Sequence, residues 1–252
     1  KKKEDIGIFL EGKTDFLTEG IGKVYGKYKN YLIVSHANYT DDSYILYNLA
    51  GLYLFDLSTK KEEAIGSTGI DLYRLYVKGG NICFSKYDQN NEGYALGVYD
   101  IDSRHELRVD VGPKGKKFFY DPSTLDCSDS YIVYRLELAE GPEYRKELRA
   151  YSRISGNDRL IKEYSPYSAA DINVDLIGDF FYYSFSHSFD EKTALFRRNL
   201  TDNSEIVLLP SDGLVGWGLA GRGWDIDGDY VVYENKKQNS DETSLYLQKL
   251  PK

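Results

Sequence analysis

A segment of ten residues recurs along this chain at a nearly constant spacing, and this period limits the fold more than any other feature. The copies are YGKYKNYLIV from Tyr25, LYVKGGNICF from Leu75, LDCSDSYIVY from Leu125, VDLIGDFFYY from Val174 and WDIDGDYVVY from Trp224. Their starts are 50, 50, 49 and 50 residues apart. A period of this length indicates a supersecondary unit that is repeated about five times.

Each copy predicts a β-hairpin, because β-branched and aromatic runs flank two polar or glycine residues. A third strand follows each hairpin, and a fourth strand closes each unit. The unit is therefore four antiparallel strands, named a, b, c and d in chain order. The predicted a–b turns are Lys29-Asn30, Gly79-Gly80, Asp129-Ser130, Gly178-Asp179 and Gly228-Asp229.

Radial packing of such sheets solves the problem of their exposed edges, so the sequence predicts an all-β protein, a β-propeller of five four-stranded blades in one domain, 1–252. The fifth unit ends after strand c, and the segment from Ile8 reads like the end of a unit. We expect this N-terminal strand to join the last blade and close the ring. A six-bladed propeller, an open stack of hairpins and a β-sandwich remain alternatives. The predicted blades are 21–66, 67–109, 110–163, 164–209, and 210–252 together with 5–20.

The amino-acid composition favours β-sheet structure and argues against some classes of binding partner. The chain is 15% aromatic with 24 Tyr, which favours strands over helices. Its net charge is −8 and it has no face-like run of Lys and Arg, which argues against nucleic-acid binding. No apolar run is long enough to span a membrane.

The chain begins at Lys1 and contains no Met, so we expect a processed or truncated chain. Lys1, Lys2 and Lys3 would suit a position next to an upstream membrane anchor, and a solvated, frayed terminus is the favoured alternative. Cys83 and Cys127 lack metal-ligand spacing, and the sequence leaves open whether they pair.

The last two repeats, WDIDGDYVVYENKKQNSDETSLYLQKL and VDLIGDFFYYSFSHSFDEKTALFRRNL, resemble the blades of TolB-like propellers of secreted or surface-anchored prokaryotic proteins. The resemblance covers nearly the whole chain, although Gly26 and Tyr76 stand where later repeats have Asp. It implies an extracytoplasmic location: periplasmic, secreted or at the cell surface. It says little about activity, since such propellers include binding modules, assembly proteins and domains of lyases or peptidases.

Three carboxylates share one repeat position on the strand nearest the predicted axis: Asp126, Asp175 and Asp225. In five-bladed propellers that hydrolyse sugars, axial carboxylates act as nucleophile, base or acid, which makes these residues catalytic candidates. An Asp ahead of a tight turn also commonly accepts backbone N–H groups, and this structural interpretation is favoured.

The glycine-rich segment from Gly213 to Gly223 joins strand d of one blade to strand a of the next, on the face where propellers usually bind ligands. Its GxGxxG pattern lacks the following helix of a nucleotide site. Trp217, Arg222 and Trp224 are predicted to form a sugar-stacking or partner-binding patch, with a core position as the alternative for a Trp.

His36 and His187 follow second strands, which places them on that same predicted face. No His pair has metal spacing, and no nucleophile motif is present, so we predict no metal site and no cofactor. The favoured function is a non-enzymatic binding or assembly module that recognises a protein or glycan through loops on one face. The alternative is a glycan-active enzyme, a glycoside hydrolase or lyase, built on the axial carboxylates.

Overall fold

A computed structural model of the chain consists of β-strands and turns, with no helix among the residues that it describes. The described residues are 7–10, 13–16, 21–36, 52–65, 70–88, 93–109, 118–119, 126–140, 143–164, 171–186, 192–215, 224–236 and 243–251. They belong to two compact units, an N-terminal unit of residues 1–127 and a C-terminal unit of residues 128–252. Within the described ranges, no helix could cross a membrane.

The described residues of the N-terminal unit form twelve strands, which include two four-stranded sheets that we name sheet 1 (β3 to β6) and sheet 2 (β7 to β10). The strands are β1 Gly7–Leu10, β2 Lys13–Phe16, β3 Ile21–Tyr28, β4 Tyr31–His36, β5 Leu52–Asp56, β6 Glu62–Ile65, β7 Ile70–Lys78, β8 Asn81–Asp88, β9 Gly93–Asp100, β10 His105–Val109, β11 Phe118–Phe119 and β12 Asp126–Cys127.

The C-terminal unit contains β13 to β15 in sheet 3, β16 to β19 in four-stranded sheet 4 and β20 to β22 in three-stranded sheet 5. The strands are β13 Tyr131–Glu140, β14 Glu143–Ser152, β15 Asp158–Tyr164, β16 Asp171–Ile177, β17 Phe180–Ser186, β18 Lys192–Asn199, β19 Glu205–Val215, β20 Trp224–Asp227, β21 Tyr230–Lys236 and β22 Thr243–Lys249. In sheets 1, 2 and 4 the spatial order follows the chain, so strands a, b, c and d pair in sequence.

The predicted a–b turns are confirmed, and the backbone explains their composition. Gly79 and Gly80 have φ of 56° and 85°, in the left-handed region that glycine enters without steric penalty. Gly178 and Gly228 begin the equivalent turns of sheets 4 and 5 with φ of 59° and 56°. The twist of the flanking strands requires this conformation, so glycine is favoured at these positions.

One backbone hydrogen bond recurs five times and joins the two kinds of turn. The N–H just after strand c donates to the carbonyl of the second a–b turn residue, at 2.7–2.9 Å: Leu57 to Asn30, Ile101 to Gly80, Arg153 to Ser130, Leu200 to Asp179 and Leu250 to Asp229. The a–b and c–d turns therefore lie at one end of each sheet, which we call the turn end. The b–c and d–a connections lie at the opposite end, the loop end.

The c–d turns also repeat one geometry. The fifth residue of each turn has a positive φ, and the side-chain oxygen of the first accepts a nearby backbone N–H. Such local acceptance by Asp, Asn or Ser stabilises a turn without any long-range contact. The first and fifth residues are Asp56 and Lys60, Asp100 and Arg104, Ser152 and Gly156, and Asn199 and Asn203.

The core of each unit lies between its stacked sheets. In the N-terminal unit, Ile33 and Leu54 of sheet 1 pack with Ile82 and Phe84 of sheet 2. In the C-terminal unit, one cluster joins sheets 3 and 4 and another joins sheets 4 and 5. Strand b is buried on both faces in these stacks, which explains why its sequence is almost continuously apolar.

Gly26, which departs from the Asp of later repeats, marks a close approach between sheets 1 and 2. A Cβ atom at Gly26 would lie 2.9 Å from Cβ of Val77 in β7. Real Cβ atoms do not approach so closely, so this position of the first repeat excludes a side chain.

The all-β fold and the four-stranded antiparallel sheets are confirmed. Ring closure is not confirmed: β1 pairs with β2, and no described strand pairs with the outer edge of β22. The number of blades, the blade limits and the single domain stay predictions. Strand β19 continues to Val215, so the first three residues of the predicted loop 213–223 belong to strand d.

Candidate functional site

The two predicted sites lie at opposite ends of the sheets. The three repeated aspartates come just before a–b turns, near the turn end. His36 is the last residue of β4, at the loop end of sheet 1. The other loop-end candidates, His187, Trp217 and Arg222, lie outside the described residues. A catalytic site at the aspartates and a binding site at the loops would thus be separate surfaces.

Asp126 is buried beside a cation. The residue is 6% exposed, and its Oδ2 lies 3.1 Å from Nζ of Lys78, the last residue of β7. Its Oδ1 accepts the backbone N–H of Cys127 at 2.8 Å. A buried carboxylate needs such partners to offset the loss of water, and the contact with Lys78 also joins β12 to sheet 2.

Asp175 is also buried, at 7% exposure, and pairs across the sheet with Tyr182 of β17. Burial raises the pKa of Tyr182, and the negative charge of Asp175 raises it further, whereas the nearby Arg197 lowers it. The phenol therefore stays protonated at neutral pH.

Asp225 is exposed, unlike the other two, and its Oδ1 accepts the N–H of Ile226 at 3.1 Å. Asp126 and Asp225 thus each bind the amide of the following residue, as the structural interpretation of the repeat predicts. The three positions do not share one environment, and the catalytic role stays a prediction.

Trp224 lies in the core between sheets 4 and 5. It is 3% exposed, and its Nε1 donates a hydrogen bond of 2.7 Å to Oγ of Ser184 in β17. Its neighbours in the cluster include Leu195 and Val231. An indole buried in this way presents no face for a ligand, so the position is that of a core residue.

Cys83 and Cys127 form a disulfide with a Cα–Cα distance of 6.3 Å, which settles a point that the sequence left open. Both residues are fully buried. The bridge joins β8 to β12 directly beside Asp126. Sequence reasoning could not find this pairing, because it depends on which strands of neighbouring repeats stack.

A charged cluster in sheet 3 was missed by the sequence analysis. Arg149 of β14 contacts Glu147 at 2.7 Å and Asp158 at 3.1 Å, and Glu147 is 5% exposed. Burial, with the charge of Asp158, raises the pKa of the neighbouring Tyr134. In sequence these residues look like ordinary polar positions of strands, so only their burial reveals the cluster.

The described residues contain no group of three His, Cys, Asp or Glu side chains placed to hold a metal ion. Their polar contacts are ion pairs and turn hydrogen bonds that stabilise sheets.

No protein-family model and no curated protein matches this sequence. Solved structures do match it. An uncharacterized protein, lmo1340, from Listeria monocytogenes EGD-e superimposes with a TM-score of 0.60 at 12% identity, over 98% of this chain and 66% of that chain. The β-propeller domain of the trilobed protease from Pyrococcus furiosus, which has an open velcro topology, gives 0.53 at 10% identity, over 87% and 65%.

An oligogalacturonate lyase in complex with manganese gives a TM-score of 0.50 at 12% identity, over 95% of this chain and 69% of that chain. This chain spans about two thirds of the length of the three chains. Two TolB structures superimpose on this chain with TM-scores of only 0.39 and 0.47. Scores this low do not support an assignment within the propellers, so the TolB-like assignment stays a prediction. At these identities the similarity shows the fold alone, which is of the β-propeller type.

Proposed function

We propose that this chain is an extracytoplasmic binding or assembly module that recognises a protein or glycan through the loop end of its sheets. The observation that carries the proposal is the contrast between the two ends. Four of the five a–b turns have two central residues and the third has three, and all five accept the same backbone hydrogen bond from the residue after strand c. The b–c connections range from residues 141–142 to residues 37–51. A uniform scaffold end with connections of unequal length at the other end is typical of recognition surfaces.

The disulfide supports the proposed location. Structural disulfides persist in oxidising compartments such as the periplasm or the cell exterior and are rare in the cytosol. The Cys83–Cys127 bridge is fully buried, as expected of a structural bond.

The rival function, a glycan-active enzyme, receives less support from the aspartates. A glycosidase needs two carboxyl groups facing one cavity. Asp126 is paired with Lys78, whereas Asp225 is exposed and accepts an adjacent amide. These contacts lend less support to a catalytic pair, so we propose the binding module first.

The binding proposal is tested with an array of defined neutral and acidic oligosaccharides and, in parallel, by crosslinking to envelope proteins. We expect Trp217→Ala and Arg222→Ala to weaken the observed interaction at least about tenfold, as hot-spot residues do. Ile154→Ala, at an exposed turn-end position, is the matched control and should bind like the wild type. Equal loss in all three variants, or no interaction in either assay, would contradict the proposal.

The rival is tested with oligogalacturonate as the substrate, by ultraviolet absorbance of the unsaturated product and by reducing-end release. We expect no product from the wild-type chain, with or without added Mn²⁺. Product formation that Asp126→Asn or Asp175→Asn abolishes without unfolding the protein would establish the enzyme instead.

A further inference from the structure

The c–d turn of sheet 4 contains the acceptor pattern for N-linked glycosylation. Asn199, Leu200 and Thr201 match this pattern, which is Asn, any residue except Pro, and then Ser or Thr. A pattern so short also occurs by chance, so its structural setting decides whether it can be used. The c–d turn of sheet 1 has Leu and Ser at the matching places but begins with Asp56, which has no side-chain nitrogen to carry a sugar.

The turn presents the two residues that the pattern requires and buries the one between them. Leu200 is fully buried, and its carbonyl accepts the hydroxyl of Tyr131 in β13 at 3.1 Å. Asn199 is half-buried and Thr201 is exposed. The middle residue thus anchors the turn in the core, at the place where the pattern tolerates any side chain but Pro.

The turn uses the amide oxygen of Asn199 and leaves the amide nitrogen available. Oδ1 of Asn199 accepts the backbone N–H of Thr201 at 2.8 Å. The backbone groups of Asn199 bond within the turn, to Ser204 and Asn203. Within the described ranges, no group accepts a hydrogen bond from Nδ2. An N-linked sugar replaces one hydrogen of Nδ2 and keeps Oδ1 as an acceptor, so the modification preserves the turn.

The same turn position is accessible in other units of the repeat. Asp56 in sheet 1 and Ser152 in sheet 3 also start c–d turns, and each accepts a nearby backbone N–H through its side chain. Both residues are half-buried, although sheets 2 and 4 pack against their sheets. The accessibility of Asn199 is therefore a property of its place in the repeat, at the turn end.

We propose that Asn199 is the acceptor of an N-linked oligosaccharide, which is transferred from a polyprenyl diphosphate donor during export of the chain. Nδ2 forms a bond to the anomeric carbon of the first sugar, and the bond from that carbon to the diphosphate oxygen breaks. The polyprenyl diphosphate leaves, and one Nδ2 proton is released. The inference rests on the proposed extracytoplasmic location, because such acceptor sites are used in secreted proteins.

The position of Asn199 keeps the glycan away from the proposed recognition surface. The turn end of sheet 4 lies opposite its loop end. A glycan is bulky and solubilising, so at Asn199 it would cover the turn end of the sheet and leave the loops uncovered.

The test uses the full chain, secreted by a eukaryotic host behind a signal peptide. Asn38→Gln is introduced throughout to remove the other acceptor pattern, Asn38-Tyr39-Thr40, which lies outside the described residues. We expect a glycopeptide at Asn199, in which peptide N-glycosidase converts the modified Asn to Asp, located by mass spectrometry. Thr201→Ala should abolish the modification, whereas Thr201→Ser keeps the pattern and should retain it.

Asn199→Asp in the same background is the matched control. It keeps a capping oxygen, as Asp56 does, but lacks Nδ2, and should carry at least about tenfold less glycan. An unmodified Asn199 in the secreted, folded protein, or equal glycan in Asn199→Asp, would overturn the proposal. An unmodified chain that still binds in the array or crosslinking assay would contradict the acceptor site alone, and a glycosylated chain that binds nothing would contradict the binding role alone.

Discussion

The first residue of each c–d turn controls that turn through one side-chain oxygen. Oδ1 of Asp56 accepts the hydroxyl of Ser58 at 2.6 Å and the backbone N–H of Ser58 at 2.8 Å. These bonds favour the ionised form, with the hydroxyl bond the larger effect, and lower the pKa of Asp56 to about 2. Asn199 accepts a backbone N–H at the equivalent position of sheet 4, so charge is dispensable there.

Stability should therefore depend on pH through Asp56. Because its folded-state pKa lies below the ordinary value of 3.8, ionised Asp56 stabilises the fold above about pH 4, and this contribution is lost as pH falls towards 2. We expect Asp56→Ala to lower Tm by a few degrees at pH 7 and to reduce the dependence of Tm on pH below 4. Differential scanning calorimetry at pH 7, 4 and 2.5 measures both effects.

Asp56→Asn is the control for that experiment. An amide oxygen keeps the turn, as Asn199 does, but cannot titrate. Its Tm at pH 7 should lie between those of the wild type and Asp56→Ala, and it should show the weaker pH dependence. A wild-type dependence in this variant would assign the effect to other carboxyls, among them Asp102 and Asp202, whose pKa values are also lowered.

Gly26 is required by the packing of sheet 1 on sheet 2. Gly26→Ala places a methyl 2.9 Å from Cβ of Val77 and should destabilise the protein by about 1–3 kcal/mol, the usual effect of overpacking. The double variant Gly26→Ala/Val77→Gly, which removes the opposing Cβ atom, should lose less stability than the sum of the two single variants, which urea denaturation can measure. Strictly additive effects would mean that the two positions do not meet.

At the scale of elements, apolar packing and a buried hydrogen bond join sheets 4 and 5. The bond runs from Trp224 of β20 to Ser184 of β17. Both residues are buried, so an unmet donor or acceptor there would not be replaced by water. This contact fixes how the two sheets align.

Trp224→Phe should lower the free energy of unfolding by about 1–3 kcal/mol, because it removes the donor and part of the buried ring. A double-mutant cycle with Ser184→Ala isolates the hydrogen bond, which we expect to contribute about 0.5–1.5 kcal/mol. Loss of ligand binding in Trp224→Phe without any loss of stability would instead support the binding role that the sequence suggested.

At the scale of the whole molecule, the disulfide links stability to compartment. Cys83 and Cys127 are separated by 44 residues, and closing a loop of that size restricts the unfolded chain. The Cys83→Ala/Cys127→Ala variant should lose about 2–4 kcal/mol in urea denaturation.

Reductant should destabilise the wild-type protein by a similar amount and leave that variant unchanged. Thiol alkylation of protein purified from an oxidising compartment should detect no free thiol before reduction. Two reactive thiols in the native protein would remove the support that the bridge gives to an extracytoplasmic location.

The repeat was readable in sequence because its causes are local. The glycines of the a–b turns and the Asp or Asn that starts most c–d turns act within a few residues, so their spacing reports four-stranded units directly. The aspartate row was equally visible. The environment of each aspartate could not be predicted, because it depends on contacts between repeats. Lys78, the partner of Asp126, belongs to the preceding repeat.

The amino-acid sequence alone determined the class of fold, the turn positions and the strand order, since each follows from periodicity and short-range backbone chemistry. Tertiary structure alone decided the Cys83–Cys127 bridge, the core position of Trp224 and the exclusion of a side chain at Gly26. Each of these depends on how separate sheets stack. These contacts join residues that are far apart in the chain, and a repeat pattern does not predict which distant residues come into contact.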